Sequence, residues 1–139
     1  MSQENLDTLR GVYEEWAKGN FAPATALYDP LAVFVPFPDF PAEPHYIGPE
    51  GVRRFMVPFL AAWIDLTMTA EQFIDAGDSI VVVTRWSGVG KESGAPTTRQ
   101  VFDVWTFRGR TVVRAEFFSD RGEALEAVGL SEQDAHADS

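Results

Sequence analysis

The stretch Val101–Leu130, VFDVWTFRGRTVVRAEFFSDRGEALEAVGL, decides the fold. Two runs rich in β-branched and aromatic residues, Thr98–Phe107 and Thr111–Phe118, flank Arg108-Gly109-Arg110, which predicts an antiparallel hairpin. Asp120 then caps a short helix, with Glu123 at capping-box spacing and Gly129 as its stop. Alternate residues of a strand share a face, so Asp103 lies with Val101, Trp105 and Phe107. A carboxylate on an apolar face is costly unless it is paired, protonated or in use. Asp103 is therefore the strongest chemical lead in the chain.

Working back from the hairpin, SIVVVTRWSGV (Ser79–Val89) and Leu66–Phe73 read as further strands around the turn Ala76-Gly77-Asp78. PEGVRRFMVPFLAAW, ending at Trp63, reads as a helix that Pro58 should kink or break. The segment from Pro36 to Pro44 holds four prolines in nine residues, which excludes a helix or a central strand. It is expected to form a rim or lid carrying Phe37, Asp39 and Phe40. Ala32–Val35 reads as a short strand, and Pro23 to Tyr28 as a short helix. Leu6, Leu9, Tyr13 and Trp16 recur at helical spacing, with Gly19 placed to end that helix.

Helices thus come first and a run of strands follows. The expected class is α+β: a cone-shaped barrel, its curved antiparallel sheet wrapped around the N-terminal helices and enclosing an apolar cavity. One domain should span residues 1–130, with 131–139 a frayed acidic tail. The 139 residues are 45% hydrophobic and 13% aromatic, with eleven Phe and four Trp, which is ample for a core.

A formal charge of −10 repels phosphate backbones, so neither nucleic acid nor an anionic membrane is an expected partner. No apolar run approaches the about 20 residues that cross a bilayer, and MSQENLDTLR has no signal-peptide character. Cysteine is absent, which excludes disulfides and thiolate chemistry and fits a cytoplasmic location. With only His45 and His136 as histidines, no metal site is expected. Gly88-Val89-Gly90 lacks the context of a phosphate loop, and there is no nucleophile elbow.

YEEWAKGNF, LYDPLAVFV, YIGPEGVRRF, GDSIVVVTRWSGVGKESG and VWTFRGRTVVRAEFFSDRGEALEAVGL together resemble the SnoaL-like branch of the nuclear transport factor 2-like superfamily, over about Asn5 to Leu130. That superfamily includes ketosteroid isomerases, polyketide cyclases, dehydratases and epoxide hydrolases, so the resemblance specifies a fold and not a reaction. Asp103-Val104-Trp105-Thr106-Phe107 is similar to the isomerase motif that carries the oxyanion-hole acid. The isomerase's general base has no counterpart in Phe34-Val35-Pro36-Phe37, and Tyr13 falls about one residue from its oxyanion tyrosine. The SnoaL cyclases use a strand aspartate as base, a role that Asp103 could fill by analogy.

The resemblance implies a cofactor-independent enzyme that isomerises, cyclises or dehydrates a small hydrophobic carbonyl compound by proton transfer. Asp103 would be its acid or base. Tyr13, Trp16, Tyr28, Tyr46, Trp63, Trp86, Trp105 and Phe117 would line or polarise the cavity, and His45 is a candidate proton shuttle. Two other readings stand beside this one. The first is a non-catalytic binder of a small hydrophobic ligand, with Asp103 a satisfied structural acid. The second is an epoxide hydrolase, which needs Arg85 to join Asp103 around a water. The strand pattern, however, puts Arg85 on the face opposite Trp86. Arg99 shares the face of Asp103 but is four residues away, roughly 13 Å along a strand. Val113, Ala115, Phe117 and Ser119 should face the cavity. Arg114 and Glu116 should face outward, on the surface through which family members often form a homodimer.

Overall fold

The computed structural model describes residues 3–36 and 41–137, as a six-stranded sheet wrapped on one side by two long helices. Helix α1, Gln3–Trp16, turns Leu9, Val12, Tyr13 and Trp16 inward at the i, i+3, i+4, i+7 spacing of one apolar stripe. A 3-10 helix at Pro23–Leu27 leads into β1, Tyr28–Val35. The expected short helix is therefore this tighter turn, and the strand starts four residues earlier than its apolar core Ala32–Val35 suggests. β2 is the two-residue strand Tyr46–Ile47, and α2 spans Gly48–Ala61.

Helix α2 runs through Pro58 without a break. Gly48 opens it at φ 69°, and a Cβ there would lie 2.4 Å from the Pro30 carbonyl oxygen, so only glycine fits. Trp63, expected within this helix, instead begins β3, Trp63–Ala76. β4 is Ser79–Gly90, β5 Pro96–Arg108 and β6 Thr111–Phe118. Helix α3, Arg121–Ala127, has Asp120 as N-cap, its side chain accepting the Glu123 N–H at 2.9 Å.

The sheet order is β2-β1-β6-β5-β4-β3. Every neighbouring pair is antiparallel except β1 and β6, which run parallel. The sheet is thus mixed and open, with β2 and β3 as its edges: a curved cone, not a closed barrel. α2 provides the crossover that a parallel pair requires.

Val82, Thr84 and Trp86 of β4, Val101, Asp103 and Trp105 of β5, and Ala115 and Phe117 of β6 are buried and alternate along their strands on the concave face. Val112 joins this core where Val113 was expected, because a bulge separates the Thr106–Arg114 and Phe107–Val112 pairs. On the convex face Ile74, Val81, Val83, Phe102 and Val104 form a second core under Ala124 and Leu125 of α3.

The residues after Leu130, expected to fray, form α4, Glu132–Ala137. The Ser131 and Asp134 side chains each accept the other's backbone N–H, and Glu132 pairs with Arg121 at 2.9 Å. Phe37, Asp39 and Phe40 of the expected rim lie outside the described residues.

Candidate functional site

Asp103 is fully buried. Its neighbours across the sheet are Val82 on β4 and Phe117 on β6. Two hydroxyls donate to its Oδ2: Tyr13 from α1 at 2.5 Å, and Thr84, two residues along β4 from Val82, at 2.8 Å. The Trp105 indole N–H donates in turn to the Tyr13 hydroxyl at 2.9 Å. Indole, phenol and carboxyl thus form one buried chain from β5 through α1 and back to β5. Oδ1 is buried with no hydrogen-bond partner among the described residues.

Desolvation opposes ionisation here, and the Tyr13 and Thr84 donors only partly offset it. The Asp103 carboxyl is pushed up from 3.8 to about 7. Oδ2 already accepts two donors, so the proton belongs on Oδ1. Burial and then the Asp103 charge hold the Tyr13 phenol well above its ordinary value, so it donates throughout. Among the described residues no cation contributes to the Asp103 shift, and its hydrogen-bond donors are the Tyr13 and Thr84 hydroxyls.

Beside the network lies a partly enclosed cavity of about 410 Å³. Its wall is apolar and largely aromatic: Trp16, Phe34, Phe55, Phe59, Trp86 and Phe117 from three strands and both long helices. The more exposed lining residues lie on α2 and around the start of the 3-10 helix. Arg53, Met56, Val57 and Leu60 form one stripe of α2, opposite Phe21, Ala22 and Thr25. Val57 is 62% exposed at this edge. Arg53, the only charged lining residue among those described, is ion-paired with Glu50. The other polar side-chain groups among the described lining residues are the hydroxyls of Thr25 and Tyr28 and the indole N–H groups of Trp16 and Trp86.

Of the residues singled out in the sequence, Trp16, Tyr28, Trp86 and Phe117 line the cavity. Asp103, Tyr13 and Trp105 lie behind its wall, where Trp105 packs against Trp16, Tyr28 and Phe117 at ring-centre distances of 5.9, 6.1 and 6.3 Å. Trp63 packs on Phe59 at 6.2 Å and is not among the lining residues. Tyr46 is buried beside Phe55, and its hydroxyl accepts the Glu43 N–H at 3.2 Å. His45 is exposed and is not among the lining residues.

Arg85 points outward and pairs with Glu71 at 2.9 Å, with Gln100 bonded to the same carboxylate at 3.0 Å. The arginine–carboxylate cluster of an epoxide hydrolase is therefore not formed around Asp103: Arg85 alternates with the inward Thr84 and Trp86. Arg114 and Glu116 also face outward and pair with each other at 3.0 Å along their strand.

Among the described residues no group of three or more His, Cys, Asp or Glu could hold a metal ion, and no helix is long and apolar enough to cross a membrane.

Sequence reasoning missed Thr84 and the part that α2 plays in the lining. Thr84 was legible as a polar residue between inward Val82 and Trp86. The Arg53-Met56-Val57-Leu60 stripe was legible at helical spacing, but not what it faces.

The SnoaL-like domain profile matches residues 9–115. No curated protein matches the sequence. Solved structures are similar in fold at low identity. A nuclear transport factor 2-like protein of unknown function from Burkholderia pseudomallei is 22% identical with a TM-score of 0.74, covering 93% of this chain and 99% of its own. A ketosteroid isomerase-like fold from Catenulispora acidiphila, in complex with trimethylamine, is 15% identical with a TM-score of 0.69, covering 94% and 96%. TerC, co-crystallized with polyporic acid, is 18% identical with a TM-score of 0.71, covering 89% and 97%.

Proposed function

Because the chain belongs to the SnoaL-like domain family, we propose that its cavity binds a small, predominantly apolar organic molecule. The observation that carries this reading is the cavity itself: about 410 Å³, walled by aromatic side chains, with few polar groups. Trimethylamine and polyporic acid in two relatives of the fold are in keeping with it.

The test is a titration with N-phenyl-1-naphthylamine, a neutral apolar dye whose fluorescence rises out of water. One dye should bind per chain. Ala24→Leu should weaken binding at least tenfold, because Ala24 lines the cavity and the larger side chain fills it. Equal binding to both proteins would place the dye elsewhere and sink the reading.

A second reading, proton transfer by Asp103 on a bound carbonyl compound, has support of its own. The carboxyl titrates near neutrality, as a general acid or base should, and its Oδ1 is uncommitted. Asp103 has no accessible surface, so a lining side chain must swing aside before it meets a ligand. Isomerisation, cyclisation and dehydration all begin with proton removal next to a carbonyl. Exchange of the methyl protons of 2-acetylnaphthalene in D2O is the readout. Wild-type protein should catalyse it at least about 100-fold better than Asp103→Asn; equal rates would reduce Asp103 to a structural acid.

A homodimer through the convex face is proposed as well. α3 covers the apolar part of that face, which leaves the polar Glu71, Arg85 and Gln100 region for a partner copy. Sedimentation at twice the 15.4 kDa chain mass supports it, and a single-chain species overturns it.

A further inference from the structure

Arg53 is the one charged side chain among the described lining residues, and it stands at the exposed edge of the cavity with Val57. Its side chain is 55% exposed, and its Nη1 donates to Glu50, three residues back in the first turn of α2. Glu50 is 84% exposed and is not among the lining residues. An exposed ion pair one helical turn apart contributes little and exchanges readily. A guanidinium carries five donors in a planar fork, so the single bond to Glu50 leaves most of them for another acceptor. Thr25, on the 3-10 helix that packs against α2, adds a hydroxyl to the same lining.

The rest of the wall decides where a charge can sit. Trp16, Tyr28 and Phe117 pack on Trp105, with Asp103 buried behind them. An anion set against these rings would face their negative π-surfaces and lose its water without gaining a cation. Ionised Asp103 would repel it further. At Arg53 an anion keeps part of its hydration and meets a guanidinium. One guanidinium matches one singly charged carboxylate in a two-bonded pair, whereas a phosphate dianion would leave a charge unmatched. Resting on the cavity reading above, we propose that the cavity takes an amphipathic carboxylate: an aryl or alkyl acid whose apolar body fills the aromatic interior and whose carboxylate replaces Glu50 on Arg53. Arg53 is the specificity-determining residue, and Glu50 is the competitor that the ligand displaces.

The test compares 2-naphthylacetic acid with 2-naphthylacetamide, a neutral molecule of nearly the same shape. Isothermal titration at neutral pH and low salt should show the acid, ionised there, bound about tenfold more tightly by the wild-type protein, the low end for a hydrogen bond to a charged group. Arg53→Met keeps an apolar stem and should bring the two affinities together. Glu50→Gln should tighten the acid about threefold and leave the amide as it was, on the scale of an exposed ion pair. Raising the salt to about 0.5 M should shrink the wild-type preference. The acid should also displace N-phenyl-1-naphthylamine, which shares its cavity. Glu50→Gln and the salt series decide the matter even if Arg53→Met does not fold.

Equal binding of acid and amide to wild-type protein, or a preference that survives in Arg53→Met, overturns the carboxylate assignment while the cavity reading stands. An unchanged acid affinity in Glu50→Gln, or a preference indifferent to salt, overturns it likewise. So does acid that binds without displacing the dye, since it then sits outside the cavity. If neither probe binds but the dye does, the assignment alone falls. If the dye fails as well, the cavity reading falls and takes the assignment with it.

Discussion

Replacing Asp103 with asparagine should change stability by an amount that depends on pH, and the structure fixes the sign. The carboxyl is pushed from 3.8 to about 7 by burial, so between those values the folded chain holds a proton that the unfolded chain has lost. Unfolding free energy rises with pH only where the unfolded state binds more protons, so here it falls. The contribution of Asp103 is complete below about 4, declines through the interval and levels off above about 7.

From pH 5 to pH 9 the decline covers about two pH units at about 1.4 kcal/mol each, or roughly 2.7 kcal/mol. The amide that replaces the carboxyl in the variant does not titrate, and its oxygen can still accept from Tyr13 and Thr84. The variant should therefore compare least favourably with wild type at pH 5, where wild type holds the neutral acid. Relative to wild type it should gain about 2–3 kcal/mol by pH 9. Urea unfolding followed by tryptophan fluorescence, at five pH values on both proteins, isolates the effect because every other titrating group is shared. A difference that stays constant within about 0.5 kcal/mol would refute the claim that Asp103 is buried without a charge partner, since linkage would then be absent.

Tyr13→Phe removes one donor from Asp103 and leaves the Trp105 indole N–H without its acceptor. It should destabilise by about 1–3 kcal/mol at pH 8 and less at pH 5, as thermal melts at both values would register. Asp120→Ala should cost about 1 kcal/mol by loss of the α3 cap, read from the urea midpoint, with dye binding unaffected. Gly48→Ala should cost more than about 2 kcal/mol, because a side chain there meets both a left-handed backbone and the Pro30 carbonyl. A near-neutral melt would show that the α2 start can shift.

The local alphabet of this protein is written in its sequence. The α1 stripe from Leu9 to Trp16, the hairpin around Gly109 and the Asp120 cap depend on periods of 3.6 and 2 and on turn chemistry that neighbouring residues set alone. The face shared by Asp103 and Trp105 was legible for the same reason, as was the outward direction of Arg85. The parallel pairing of β1 with β6 was not, since it joins residues far apart in the chain and needs α2 to carry the crossover. Nor was the bulge that exchanges Val113 for Val112, because register belongs to the pair of strands and not to either one.

The site divides along the same line. The sequence alone picked out an acid on an apolar face and the aromatics around it. Tertiary structure decided that Tyr13 and Thr84 close on one oxygen of Asp103 and leave the other bare. It also decided that the cavity opens beside that network, against Tyr28 and Trp16, and not at Asp103 itself. Hydrogen bonds spanning 90 residues of chain, and a void bounded by strands and helices alike, depend on how the elements pack, which no local pattern encodes.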